Sequence, residues 1–98
     1  MTSLDLFRLD GQSAVVTGGA GGLGAAIARG LAEAGAAVCV ADSNARQATL
    51  VAEELARAGH RALPLEVDVT SPDGVERMAA DVEARLGPID VLVVSLST

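Results

Sequence analysis

The stretch Val15-Val16-Thr17-Gly18-Gly19-Ala20-Gly21-Gly22-Leu23-Gly24 joins a short apolar run, Ala14 to Thr17, to a segment of good helix formers, Ala25 to Ala34, through five glycines in seven positions. A joint of that composition predicts a strand turning tightly into a helix, because glycine accepts both the left-handed conformation and close backbone approach. The first turn of a helix presents unpaired N–H groups and the positive end of the macrodipole. With no bulky side chains over it, such a turn is open to a phosphate.

Outward from the joint, the apolar residues alternate between two periods. Ser13 to Thr17, Ala37 to Ala41, Ala62 to Val67 and Ile89 to Val94 are short runs without a polar face, as expected of strands buried on both sides. Between them lie three segments of helical period. In the first, Leu23, Ile27, Leu31 and Ala34 share a face, and Gly35 supplies a left-handed stop. The second, from about Asn44 to Ala58, carries Ala48, Val51, Ala52, Leu55 and Ala58 at steps of three and four, with Gly59 as its stop. The third opens with Ser71-Pro72, a capping side chain before a proline at the first helical position, and turns Val75, Met78, Ala79, Val82 and Leu86 inward before Gly87-Pro88 ends it.

The order β-α-β-α-β-α-β, without linker or low-complexity segment, predicts one α/β domain over residues 1–98 built on a doubly wound parallel sheet. Right-handed crossovers put the first two helices on one face. A return through the third helix on the other face lays strand four against strand one, giving the order 3-2-1-4 with the glycine joint at the switch point where such sheets bind ligands.

Composition bounds the function. Ninety-eight residues suffice for one modest core, and with Phe7 the only aromatic residue that core must be built from Ala, Val, Leu and Ile. Seven basic residues, all arginine, against thirteen acidic ones give a net charge of −6, which argues against nucleic acid or an anionic membrane as partner. The single cysteine, Cys39, can form neither an internal disulfide nor a cysteine metal cluster, and its apolar run suggests a small buried hydrophobe rather than a reactive thiol. Met1 to Asp10 show no signal-peptide pattern and no run approaches membrane-spanning length, so a cytoplasmic chain is the default expectation.

Two acids add to the glycine joint. Asp42 ends the second strand 18 residues beyond Gly24, about where dinucleotide folds place a carboxylate for the adenosine ribose hydroxyls; the alternative is an aspartate capping the next helix. Asp68-Val69 closes strand three at the same sheet edge, where an adenine ring would lie, the alternative for Asp68 being a solvated loop acid.

On these residues the chain resembles the short-chain dehydrogenases/reductases, whose cofactor-binding fold is of Rossmann type. Thr17-Gly18-Gly19-Ala20-Gly21-Gly22-Leu23-Gly24 matches that family's Thr-Gly-x-x-x-Gly-x-Gly motif, and Leu9-Asp10-Gly11-Gln12 looks like its lead-in to the first strand. The resemblance implies that Gly18, Gly22 and Gly24 allow the turn and the approach of a pyrophosphate, with the Leu23 N–H facing a phosphate. It implies that Asp42 holds the ribose hydroxyls and that Asp68 and Val69 receive the adenine. A carboxylate at Asp42 would oppose the 2′-phosphate of NADP, neither Ser43 nor Asn44 supplies a cation, and Arg46 should lie a turn into the helix, so NAD is the expected cofactor.

The departures from the family concern catalysis. Where its members carry Asn-Asn-Ala-Gly after strand four, this chain reads Val94-Ser95-Leu96-Ser97 and ends at Thr98. It contains no tyrosine and no lysine, the pair that moves the proton in the family mechanism. His60 falls at the amino edge of the sheet, away from the ligand crevice, and Ser95, Ser97 and Thr98 have no base beside them. No catalytic residue and no metal ligand is therefore assigned. An uncovered fourth strand and the abrupt loss of the match after Val93 lead to the expectation of a truncated or frame-shifted product. The expected function is the amino-terminal NAD-binding portion of an oxidoreductase acting on a secondary alcohol or ketone, its substrate bound only if the missing half is supplied. The alternative is a non-catalytic adenine-nucleotide-binding or interaction module. The residues leave oligomeric state open, a homo-oligomer included.

Overall fold

The computed structural model describes residues 8–95; residues 1–7 and 96–98, including Leu96, Ser97 and Thr98 after the fourth strand, lie outside the described residues. Seven elements alternate: β1 (Ser13–Thr17), α1 (Gly22–Glu33), β2 (Ala37–Asp42), α2 (Ala45–Arg57), β3 (Ala62–Glu66), α3 (Pro72–Leu86) and β4 (Val91–Val94). All pairings are parallel and the sheet order is β3-β2-β1-β4, as the alternation of periods requires. The chain thus forms a Rossmann-like sheet with β1 at the centre, where the direction of winding reverses.

Two apolar layers flank the sheet. On one face Ala14, Val16, Val38 and Val40 pack against Ala28 and Ala32 of α1 and Ala48, Ala52 and Leu55 of α2. On the other, Val15, Cys39 and Ala41 pack against Met78 and Val82 of α3. Alternate residues of β1 and β2 serve alternate faces, so both strands are buried nearly throughout. Burial pushes the Cys39 thiol up to about 12, which keeps it protonated and inert, in keeping with a small core hydrophobe.

Three details depart from the sequence expectation. Leu23 does not face the core: it is 70% exposed, and the fully inward stripe of α1 is Gly24, Ala28 and Ala32, with Ile27 and Leu31 packed at its margins. The buried face of α1 is thus made of small residues, which lets the helix lie close against β1 and β2. β3 and β4 are only partly buried, as they form the two edges of the sheet. β4 is also shorter than its apolar run. At its start the Asp90 carboxylate accepts the Ser13 N–H at 2.8 Å while the Asp90 N–H donates to the Ser13 carbonyl at 2.9 Å, fastening β4 to β1 before the strand proper begins.

The helix ends follow the chain's punctuation. Gly35, Gly59 and Gly87 have φ of +107°, +93° and +88° just after α1, α2 and α3. Asn44 caps α2 by accepting the Gln47 N–H at 3.1 Å, and Ser71 caps α3 by accepting the Gly74 N–H at 3.1 Å.

The small-residue stripe has a measurable consequence. Ala28→Leu overfills the contact of α1 with the sheet and should lower unfolding stability by about 1–3 kcal/mol, whereas Leu23→Ala should change it by less than about 0.5 kcal/mol. Urea denaturation of the two variants reads the difference; the opposite ranking would restore Leu23 to the core.

Candidate functional site

The joint between β1 and α1 is shaped by contacts that leave no room for side chains. Gly18 has φ +70°, and a Cβ there would run into the Ser95 carbonyl beyond β4. A Cβ at Gly24 would run into the Gly18 carbonyl, so the first turn of α1 sits directly on the loop. A Cβ on Gly22, by contrast, would meet nothing within 4 Å. Gly22 faces open space at the helix start. Unlike α2 and α3, α1 has no side-chain cap: Gly21 occupies that position and no acidic residue lies in the first turn. Its leading N–H groups are thus left to whatever approaches from outside.

The loop is stitched to the end of β2. The Gly19 N–H donates to the Ala41 carbonyl at 3.1 Å, and the Ala20 N–H donates to Asp42 Oδ2 at the same distance. Asp42 Oδ1 accepts the Asn44 N–H at 2.9 Å. Since Asn44 makes the cap of α2, Asp42 is not that cap; its carboxylate lies between the glycine loop and the turn after β2.

At the carboxyl edge of the sheet a crevice of about 250 Å³ is lined by Thr17, Gly18, Asp42, Ser43, Val67, Asp68, Val69, Thr70 and Ser95. An adjoining hollow of about 300 Å³ is bounded by Ala20, Gly21, Asp42, Ser43, Asn44 and Gln47. The structure therefore brings Gly18, Asp42, Asp68 and Val69 to one opening, while Gly22, Leu23 and Gly24 stand beside it in the first turn of α1 and line neither hollow. Asp68 is exposed, and its Oδ1 accepts both the Thr70 hydroxyl, at 2.6 Å, and the Thr70 N–H, at 2.9 Å. These bonds, the hydroxyl first, hold the Asp68 carboxyl below the usual carboxylate range.

Thr70, Ser95 and Ala20 belong to this region although sequence reasoning assigned them no role. Asp-x-Thr is a recognisable local turn signal for Thr70, and Ser95 stands after strand four near the ligand edge, but nothing in the sequence marks the Ala20 N–H, which is brought in by the loop path. The ion pairs among the described residues, Arg8 with Asp10 and Arg29 with Glu54, are exposed and lie away from the crevice. Among the described residues no group of three His, Cys, Asp or Glu could hold a metal ion and no helix is long and apolar enough to cross a membrane.

His60 lies at the opposite edge, in a hollow of about 320 Å³ with Gly11, Gln12, Ser13, Arg61 and Leu86. The carboxyl-terminal ends of all three helices converge there, and the Arg61 guanidinium donates to the Arg85 carbonyl at 2.7 Å. That edge is a capped helix-end layer, unsuited to an anion.

Gly18→Ala combines positive φ with a backbone clash and should lower stability by more than about 2 kcal/mol, while Gly22→Ala should remain within about 0.5 kcal/mol of the parent chain or above it. Thermal and urea unfolding of the pair test this. For Asp68 the fold favours the ionised form, so its contribution is present above the unfolded carboxylate value and fades as pH falls through the depressed folded value. Thr70→Val removes the hydroxyl donor and should move the Asp68 titration upward, as followed by carboxyl carbon chemical shifts; an unmoved titration would rule out the hydroxyl as the main cause.

The sequence profile of the short chain dehydrogenase family matches residues 12–96. The chain is 44% identical over 86 residues to a short chain dehydrogenase of Pseudocercospora fijiensis, a match covering 88% of this chain and 28% of that protein. It superposes on the hydroxysteroid dehydrogenase from Escherichia coli with a TM-score of 0.93 and 37% identity over 96% of this chain and 40% of that one. A gluconate 5-dehydrogenase from Burkholderia cenocepacia, solved with NADP and tartrate, matches with a TM-score of 0.83 and 42% identity over 93% of this chain and 36% of that one. The chain thus spans two-fifths or less of the length of these proteins and corresponds to their amino-terminal part. By sequence and by fold, it belongs to the short chain dehydrogenase family.

Proposed function

We propose that this chain is the NAD-binding portion of an oxidoreductase acting on a secondary alcohol or ketone. The observation that carries the reading is the position of the Asp42 carboxylate, which lines the crevice it shares with Asp68 and also bounds the hollow beside the uncapped start of α1. A dinucleotide needs three things at such an edge: donors for the pyrophosphate, an acceptor for the ribose hydroxyls and a slot for adenine.

The residues present fit that demand. The open side of Gly22 and the leading N–H groups of α1, that of Leu23 among them, would receive the pyrophosphate, with Gly18 and Gly24 keeping the loop thin enough to let it approach. Asp42 would take the ribose hydroxyls, and Asp68 with Val69 would border the adenine. When bound, the nicotinamide ring supplies the hydride acceptor. What the residues described here contribute is binding and orientation, and the chain has neither the tyrosine nor the lysine of the family's proton-transfer pair.

The cofactor preference follows from charge. A 2′-phosphate would bring a second anion against Asp42, with no cationic side chain lining either hollow to offset the repulsion. The Burkholderia relative was solved with NADP, so the family fold as such does not decide the choice, and the preference for NAD rests on the charge of Asp42.

A second reading, a non-catalytic nucleotide-binding or interaction module, draws on β4, whose Leu92 and Val94 are 59% and 60% exposed and offer an apolar edge for pairing. Calorimetric titration with NAD and NADP tests the first reading. NAD should bind the more tightly, and Asp42→Ala should narrow the gap; equal affinity of the parent chain for both would remove Asp42 from the ribose site. Failure to bind either would remove both nucleotide-binding readings and leave the interaction module.

A further inference from the structure

We propose that Asp42 has a second role, as the positioning residue that holds the glycine loop in its binding shape before any ligand arrives. The proposal rests on the reading of that loop as the seat of a dinucleotide pyrophosphate.

Residues 18–22 contain four glycines and one alanine, so the loop loses unusually much conformational freedom when it becomes fixed. Its ordering depends on three consecutive N–H groups. The Gly19 N–H donates to the Ala41 carbonyl at 3.1 Å and the Gly21 N–H to the Gly18 carbonyl at 3.3 Å; both acceptors are backbone. The middle bond, from the Ala20 N–H to Asp42 Oδ2 at 3.1 Å, is the one that hangs on a side chain. The other oxygen of the same carboxylate accepts the Asn44 N–H at 2.9 Å, so one ionisable group spans the β1–α1 loop and the β2–α2 turn. A loop held in this way needs less ordering when a ligand arrives, whatever that ligand's ribose carries.

The sign of the effect separates this role from ribose binding and from plain electrostatics. A carboxylate near a diphosphate repels it, so if charge alone linked Asp42 to the pyrophosphate, removing it would tighten binding of a ligand without ribose hydroxyls. A clamp predicts the reverse, because the freed loop must then be ordered by the ligand. Ribose binding alone predicts no change for such a ligand.

The experiment uses the full chain and its Asp42→Ala and Asp42→Asn variants, with two readouts. The first is amide hydrogen exchange at Ala20 without ligand, with the Val16 and Val38 amides as the measure of global stability. The second is the affinity for 2′,3′-dideoxyadenosine 5′-diphosphate, which has the diphosphate and the base but no ribose hydroxyls. Exchange at Ala20 should quicken on the order of tenfold in Asp42→Ala while the core amides keep their protection, with Asp42→Asn, which retains one acceptor oxygen, falling between. The dideoxy ligand should bind Asp42→Ala more weakly than the parent. Unchanged Ala20 exchange in both variants, or dideoxy binding that is equal or tighter in Asp42→Ala, overturns the proposal. If the parent binds no dinucleotide while its Ala20 amide is slowed by Asp42, the clamp stands and the cofactor reading falls.

Discussion

Gly18 carries the constraint on which the rest of the edge depends. Three elements meet at a residue without a side chain: it follows the central strand at φ +70°, a Cβ on it would run into the Ser95 carbonyl that follows β4, and its own carbonyl leaves no room for a Cβ on Gly24 in the first turn of α1. Close approach of β4 on one side and α1 on the other is what narrows the opening at the carboxyl edge. An L-residue with a Cβ would have to displace backbone on the β4 side, which is far less yielding than the far end of a side chain. β1 is flanked by β2 and β4, and its exit loop leaves between them. That exit is the switch point, and the crevice lies there because crossovers on opposite faces draw the chain apart.

The two edges of the sheet are built differently. Just after β3 the Val67 N–H donates inward to the Asp42 carbonyl, and just before it the Arg61 carbonyl accepts the Val38 N–H, so strand alternation turns the nitrogen of Pro64 outward. A proline there removes a donor from the outer ladder, as expected of a strand that stays an edge. β4 has no proline and no charge in Val91–Val94, and its partners in β1 show which way its side chains point. Leu92 pairs with Val15 and Val94 with Thr17, on the α3 face, where they stand well exposed, while Val91 and Val93 pack on the α1 and α2 face. β4 therefore has the composition of a strand covered on both sides, and on the α3 face the described residues cover it on one flank of the sheet alone.

The fold was legible because its signals are local and redundant. The alternation of periods, three glycine stops and the Ser71-Pro72 start each point to the same elements, and right-handed crossovers leave one economical order for the strands. The choice of helix face was less legible in α1, where large apolar residues pointed to Leu23, Ile27 and Leu31 while close packing selects Gly24, Ala28 and Ala32. Hydrophobicity says which residues prefer burial; it does not say how near a helix lies to its sheet. Of the candidate site, the glycines and the two aspartates could be read from spacing. What could not be read was where their own hydrogen bonds go, because the Ala20 to Asp42 contact joins residues 22 positions apart and depends on the register of β1 and β2.

The three helix starts are closed in different ways. Each leaves N–H groups without partners in its first turn, and a fold that only had to be stable would satisfy them alike. α2 has Asn44 and α3 has Ser71 as side-chain caps, and α3 adds Asp73 in its first turn. α1 has neither a cap nor an acid, and its leading residues are Gly22, Leu23 and Gly24. A serine or aspartate at the Gly21 position would add roughly a few tenths of a kcal/mol to stability, and it would occupy the very donors that face outward. The Asp42 carboxylate is held by the Ala20 and Asn44 N–H groups, and Ala20 lies one residue before the cap position Gly21. The loop is thus anchored at its middle while its end is left open, and the start of α1 presents backbone donors that no side-chain cap occupies.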